Sequence, residues 1–175
     1  MVVEVELRTF LTEDRYNDLL AFFRKEGTFI SEDNQETFYF DGKEDLRIQK
    51  NDFFSKIWVK KGKLHDEARE EIEIKVDKGD FEKLEKIFLA AGLNVQIKWL
   101  RKRVTFKWKN MDVMLDLTKG YGHILEIEKL VEDTEKERTL IELKKELQSL
   151  NIPLSSKEEF EKKYAFYKEN WKNLI

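Results

Sequence analysis

Acidic and basic side chains alternate with apolar ones at the start of the chain. In VEVELRTFL, residues 2–10, Glu4, Glu6 and Arg8 take every second position, and valine, leucine and threonine fill the positions between. A period of two is typical of a β-strand, whose successive side chains point to opposite faces. Two carboxylates and a guanidinium on one face could bind a divalent cation and an anion, or could simply face water.

The same alternation recurs in later segments that we predict to be strands. In each of them charged side chains collect on one face and apolar side chains collect mainly on the other. The charged faces carry Arg47, Lys60, Glu71, Glu73, Lys75, Arg101, Arg103, Asp116, Glu126 and Glu128.

Four segments have the caps and apolar periodicity of helices: residues 12–27, 80–92, 133–150 and 156–171. Their apolar stripes must cover a sheet face, and the apolar faces of the strands are the natural choice, so the charged faces would turn toward one another. About eight antiparallel strands suffice to close a barrel with a usable interior. We therefore predict an α+β fold, a closed antiparallel eight-stranded β-barrel (tunnel) with helices packed on the outside.

Composition limits the function classes. One proline and no repeated or low-complexity segment leave residues 1–175 as a single predicted domain. Lys+Arg 33 nearly balance Asp+Glu 36, so a nucleic-acid polymer is not an expected partner. The chain has no basic leader followed by an apolar run and no apolar stretch of membrane-spanning length, which predicts a cytoplasmic protein without a membrane partner. Because cysteine is absent, any metal must be held by oxygen or histidine.

A barrel interior lined by acids and bases is costly unless these groups pair with one another or bind a ligand. Carboxylate oxygens suit Mg²⁺ or Mn²⁺, and arginine and lysine neutralise phosphate. The residues therefore indicate a polyanion carried with a divalent metal. Mutual pairing of the inner charges, without any ligand, stays open at this point.

The order of these segments resembles the CYTH superfamily, the triphosphate tunnel metalloenzymes. Residues 4–8, EVELR, are similar to its Glu-x-Glu-x-Lys signature, and QETFYFD, DLRIQ, WVKKG, REEIEI, LRKR and LDLTKGYGHILEIE resemble its successive strands over residues 2–130. The superfamily includes class IV adenylate cyclases, thiamine triphosphatases and inorganic triphosphatases. The resemblance implies metal ligation by Glu4, Glu6, Glu73, Asp116, Glu126 and Glu128, with Glu71 as the alternative to Glu73. It implies substrate binding by Arg47, Lys60, Arg101 and Arg103, and we add Arg8 and Lys75 to the predicted substrate-binding residues.

The last residue of the signature departs from the family pattern. Arg8 stands where the family has lysine, and arginine stays protonated at any working pH. Arg8 can bind phosphate or pair with Glu6, but it is a poor general base. Lys75 or a metal-activated water would have to act as the general base. We therefore assign Lys75 as a candidate catalytic residue for that role, and Arg8 as a candidate catalytic residue that contacts phosphate.

The sequence thus predicts an enzyme that hydrolyses a triphosphate with Mg²⁺ or Mn²⁺ inside a charged barrel. The substrate is left open among inorganic triphosphate, a nucleoside triphosphate and thiamine triphosphate, and the protein could be a monomer or a homodimer. Two alternatives remain: an adenylate cyclase that forms cyclic AMP and pyrophosphate from ATP, and a binding module for polyphosphate or nucleotide without turnover.

Overall fold

The computed structural model describes residues 2–62 and 68–175, which contain nine strands and four α-helices. The strands are β1 Val2–Leu11, β2 Thr28–Phe40, β3 Asp45–Lys50, β4 Ser55–Lys60, β5 Ala68–Arg69, β6 Glu71–Val76, β7 Val95–Trp108, β8 Met111–Thr118 and β9 Gly122–Glu132. The helices are α1 Glu13–Glu26, α2 Phe81–Ala90, α3 Lys136–Ser149 and α4 Lys157–Leu174. None of these helices is long and apolar enough to cross a membrane.

Thr12, Asp80 and Ser156 begin three of the predicted helical segments and are their candidate N-caps, and the side chains of Thr12 and Ser156 cap a helix in the structure. The Thr12 hydroxyl accepts a hydrogen bond from the Arg15 N–H at 3.2 Å and begins α1, and the Ser156 hydroxyl accepts one from the Glu159 N–H at 3.1 Å and begins α4. Both predictions are confirmed. The Asp80 side chain makes no capping hydrogen bond within the described residues, because a short 3-10 turn that ends at Asp80 leads directly into α2.

The strands form one antiparallel sheet in the order β5-β1-β9-β8-β7-β2-β3-β4-β6. The predicted closed barrel is wrong, because this sheet has two edges, β5 and β6. The alternation in AREEIEIKV, residues 68–76, predicts one continuous strand, but in the structure this strand is interrupted at Glu70. Residues before the break pair with β1 and residues after it pair with β4, so within the described ranges no residue of the segment joins both sides. The sheet still curls strongly, since its two edges lie one residue apart in the chain.

Three helices cover the outer, apolar face of the sheet. Val3, Val5 and Leu7 of β1 pack in one buried cluster with Phe23 of α1 and Leu143 of α3. A second cluster joins α2 to β2 and β3; its buried members are Phe38, Phe40, Ile48 and Phe81. Apolar burial therefore fixes the outer side and turns the opposite parity of β1 inward.

The last helix, α4, packs on the inner face, which corrects the prediction that the helices lie outside. Ile97 and Trp99 share the parity of Arg101 on β7 and are buried against Tyr167 of α4. The Tyr167 hydroxyl donates to the Lys98 carbonyl at 3.0 Å. The inner face of β7 is apolar before it becomes charged at Arg101, so this part of it needs a cover.

Candidate active site

The inward faces of the strands and one side of α4 surround a cavity of about 520 Å³. Eleven of the twelve side chains predicted for the site line this cavity: Glu4, Glu6, Arg8, Arg47, Lys60, Glu73, Arg101, Arg103, Asp116, Glu126 and Glu128. They come from seven strands, which are β1, β3, β4, β6, β7, β8 and β9. The curl of the sheet brings them together.

The twelfth residue, Lys75, is not among the described residues that line the cavity. Its side chain is 62% exposed, its ammonium lies 4.7 Å from the centre of the Phe54 ring, and it is 3.9 Å from a Glu73 oxygen. Lys75 is the residue before the last of the edge strand β6. It shares a strand face with Glu73, but its side chain extends to solvent and not into the cavity.

Three carboxylates form what we call the carboxylate cluster, Glu4, Glu6 and Glu128. One oxygen of each lies within 4.8 Å of the others. Glu6 and Glu128 are direct partners in the pairing of β1 with β9. Glu4 and Glu6 are buried and Glu128 is half-buried, and such a group of carboxylate oxygens is the type of site that holds a hard divalent cation.

Burial and mutual repulsion shift the protonation of this cluster. Burial raises the pKa of Glu4 to about 9, with Lys60 opposing the shift and Glu128 adding to it. Burial, followed by the nearby Glu126, raises the pKa of Glu128 to about 7. Burial acts in the same direction on Glu6, but Arg8 and Lys60 outweigh it and lower the pKa of Glu6 below its ordinary range. At neutral pH the cluster therefore holds protons that a bound cation would displace.

Lys60 connects the two sides of the curled sheet. Its ammonium on β4 lies 2.5 Å from Glu4, 3.5 Å from Glu6 and 3.2 Å from Glu71. β1 and β4 are not neighbours in the sheet, so these ion pairs span the interior. Burial opposes the charge of Lys60, but Glu6 and Glu4 outweigh it and raise the pKa, which keeps the ammonium protonated.

Arg101 and Arg103 share a buried carboxylate. Arg103 donates from Nε and Nη2 to the two oxygens of Asp116 at 2.8 and 2.7 Å, and Nη2 also donates to Glu126 at 2.9 Å. Arg101 donates from Nη1 to Asp116 at 3.1 Å and from Nε to the Gln35 amide oxygen at 2.8 Å. Burial would raise the pKa of Asp116, but Arg101 and Arg103 outweigh it and lower the pKa, so Asp116 stays ionised.

The other two arginines are held by different partners. Arg47 donates to both oxygens of Asp45 and its guanidinium carbon lies 4.3 Å from the centre of the Tyr39 ring. Arg8 lies 3.5 Å from Glu6, and burial of its guanidinium is outweighed by Glu6 and Glu126, which raise its pKa. We call Arg8, Arg47, Arg101 and Arg103 the arginine set.

Sequence reasoning did not identify Gln35 and Asp45 as residues of this network. Asp45 lies two positions before Arg47 on the same strand, so the period of two could have suggested it. Gln35 faces Arg101 through the pairing of β2 with β7. No local pattern in the sequence predicts the register in which β2 pairs with β7.

Comparison with known proteins identifies the family. The CYTH domain model matches residues 3–162, so the chain belongs to the CYTH domain family, as its motifs predicted. A protein of Methanocaldococcus jannaschii named "Putative adenylate cyclase" is 32% identical over 164 residues, which cover 86% of this chain and 91% of that protein.

Solved structures share the fold at lower identity. A protein from Pyrococcus horikoshii has a TM-score of 0.76 at 24% identity, and the match covers 86% of this chain and 92% of that one. A structure from Vibrio parahaemolyticus named as a putative adenylate cyclase has a TM-score of 0.69 at 19% identity and covers 89% of this chain and 95% of that one. These likenesses concern the fold alone.

Proposed function

We propose that this protein binds a triphosphate together with Mg²⁺ or Mn²⁺ in the cavity and hydrolyses it. The observation that carries the proposal is the convergence of the carboxylate cluster and the arginine set on one cavity of about 520 Å³. A cavity with both acids and permanent cations suits a ligand that is itself a polyanion with a metal. We also expect the protein to act in the cytoplasm.

The carboxylate cluster fits a divalent cation. Its oxygens are close enough to share one ion. Burial, with mutual repulsion added, raises the pKa of Glu4 and of Glu128, and a bound cation would oppose both effects. We assign Glu4, Glu6 and Glu128 to the metal, with Glu126 and Glu73 as further candidates beside it. A bound Mg²⁺ or Mn²⁺ would neutralise phosphate oxygens and lower the pKa of water.

The arginine set and Lys60 would hold the phosphates and stabilise charge that moves toward the leaving group. Asp116 is also a predicted metal ligand, but its oxygens accept hydrogen bonds from two arginines. We propose that Asp116 chiefly orients those arginines. A guanidinium held by a bidentate carboxylate keeps its remaining N–H groups in a fixed direction, which lowers the entropy lost when phosphate binds.

Proton transfer is not a role for the cations of the cavity. Arg8 and Lys60 both have a raised pKa and remain protonated, and Lys75 is largely exposed to solvent. We therefore drop Lys75 as a proposed general base and keep Arg8 as a phosphate-binding residue. In this proposal the attacking water loses its proton without help from a lysine.

A second candidate function is the cyclisation of ATP. The name of the Methanocaldococcus jannaschii relative favours it, and the same cavity would bind the triphosphate of ATP. In that reaction the ribose 3′-hydroxyl attacks the α-phosphorus and pyrophosphate leaves, whereas in hydrolysis water attacks and orthophosphate or pyrophosphate leaves. The charged residues serve both reactions equally.

One substrate panel separates these possibilities. The purified protein is incubated with tripolyphosphate, ATP or thiamine triphosphate and with Mg²⁺ or Mn²⁺, and orthophosphate, pyrophosphate and cyclic AMP are measured. Orthophosphate release supports the hydrolase, and cyclic AMP with equimolar pyrophosphate supports the cyclase. Tight binding without any of these products would reject both and favour a binding module.

A further inference from the structure

A buried hydroxyl without a partner lies in the wall of the cavity. Thr118, the last residue of β8, is 1% exposed, and within the described residues its Oγ1 has no hydrogen-bond partner. A buried polar atom left unpaired destabilises the fold, because it has lost its hydrogen bond to water and gained none in return. Thr118 lines the cavity and also a neighbouring cleft, and it lies on the face of β8 that carries Asp116, so its side chain belongs to the wall that a ligand would contact.

The neighbours of Thr118 determine what kind of atom it would meet. Thr118 is the direct partner of Arg101 in the pairing of β7 with β8, and Asp116 lies two positions earlier on the same face. Arg101 and Arg103 bring two guanidinium groups to this part of the cavity, where Asp116 and Glu126 balance their charge in the absence of a ligand. The ligand atom that guanidinium N–H groups bind best is an anionic oxygen, which accepts hydrogen bonds.

The donors of the neighbouring arginine are largely committed. Arg101 already uses Nη1 for Asp116 and both Nε and Nη2 for Gln35. The Thr118 O–H has no such commitment among the described residues. Thr118 can therefore donate to an oxygen that Arg101 attracts by charge but does not fully satisfy.

We infer that Thr118 is a further substrate-binding residue, whose hydroxyl donates a hydrogen bond to a phosphate oxygen of the bound triphosphate beside Arg101. The inference rests on the proposed function, because it requires that the cavity takes a triphosphate. It adds a neutral donor to a binding set that otherwise consists of charged groups. Its removal changes no formal charge, which makes it simple to test.

The test compares Thr118→Val with Thr105→Val, both in the full chain. Valine keeps the branched shape of threonine and removes only the hydroxyl. Thr105 lies on β7, opposite Met114, and is not among the described residues that line the cavity, so its substitution is the matched control. Titration calorimetry measures binding of tripolyphosphate and of ATP, each with Mg²⁺, and thermal unfolding without ligand measures stability.

For Thr118→Val we expect tripolyphosphate and ATP to bind about tenfold more weakly, a change of about 1.4 kcal/mol, because a hydrogen bond to a charged oxygen is lost. The melting temperature without ligand should equal or exceed that of the wild type, because the lost hydroxyl had no partner. Thr105→Val should leave both affinities unchanged.

Other results overturn the inference in distinguishable ways. Unchanged tripolyphosphate affinity in Thr118→Val, whether or not ATP affinity falls, shows that the hydroxyl does not contact phosphate. A lower melting temperature without ligand shows that the hydroxyl already had a stabilising partner. If the wild type itself binds neither ligand, the proposed function fails together with this inference.

Discussion

Replacing Glu128 by glutamine removes one charge from the carboxylate cluster while it keeps the shape of the side chain. The oxygens of the carboxylate cluster lie within 4.8 Å of one another, and two ionised oxygens at that upper limit repel each other by about 3 kcal/mol at an effective dielectric constant of about 20. The pKa of Glu128, raised from 4.5 to about 7, indicates an ionisation cost of similar size. At pH 8.5, where Glu128 is ionised, Glu128→Gln should therefore raise the free energy of unfolding without metal by about 1–3 kcal/mol, since lost contacts with Arg103 and Lys60 offset part of the gain.

The pH dependence has a defined sign. Because the pKa of Glu128 is higher in the folded chain, the folded state binds the proton more tightly than the unfolded state between about pH 4.5 and 7. The contribution of Glu128 to stability is thus fully present below pH 4.5 and is lost as the pH rises through 7. Glu128→Gln should remove this loss.

Urea unfolding at pH 8.5 with and without MnCl₂ measures both effects. Saturation of the wild type with Mn²⁺ at a hundred times its dissociation constant should add about 2.7 kcal/mol to the free energy of unfolding, and Glu128→Gln should lose most of that increment because a proposed metal ligand is gone. Glu169→Gln makes the same charge change at an exposed position of α4 and should leave both values unchanged. If Glu128→Gln were less stable than the wild type without metal and equally stabilised by Mn²⁺, the reasoning would be refuted.

Three further predictions concern other parts of the site. Arg103→Met should lower the free energy of unfolding by about 3 kcal/mol, because Asp116 is 2% exposed and loses a bidentate partner. Adding Asp116→Asn should restore part of the lost stability in the same urea titration. Mn²⁺ binding at pH 7.5 should release about one proton from the carboxylate cluster, so the enthalpy of binding measured by calorimetry should differ between buffers of different ionisation enthalpy. An enthalpy that is the same in all buffers would contradict the raised pKa values. Gly120→Ala should lower the free energy of unfolding by about 1–3 kcal/mol, because φ at Gly120 is +73° and the new methyl would lie 2.5 Å from Leu174 Cβ. In the same urea unfolding experiment the control Gly79→Ala should be close to neutral, because a Cβ at Gly79 would meet no atom within 4 Å.

Local patterns in the chain predicted much of the fold. The alternation of Glu4, Glu6 and Arg8 with valine and leucine indicated both a strand and the side chains that share its charged face, because the side-chain period of a strand is a property of the backbone itself. Thr12 and Ser156 predicted helix starts for the same kind of local reason. The order of the motifs also identified the family, which the comparison confirmed.

Other predictions failed because they depended on long-range geometry. The segment 68–76 reads as one strand, yet the break at Glu70 leaves the sheet with two edges. The polar and apolar pattern of α4 does not say which face of the sheet it covers, and it packs on the inner one, against Trp99. Lys75 shares the parity of Glu73 but extends toward solvent at the end of the edge strand.

By itself the sequence determined which side chains share a face, where helices begin and which family the chain resembles, since each of these follows from backbone periodicity, capping chemistry and motif order. Only the tertiary structure decided which faces meet across the interior, as when Lys60 reaches Glu4 across 56 residues of chain. It also decided that Gln35 and Asp45 hold arginines and that the Thr118 hydroxyl stays unpaired among the described residues. The physical reason is that such distances depend on the accumulated twist and register of all the strands between two residues, which no local segment encodes.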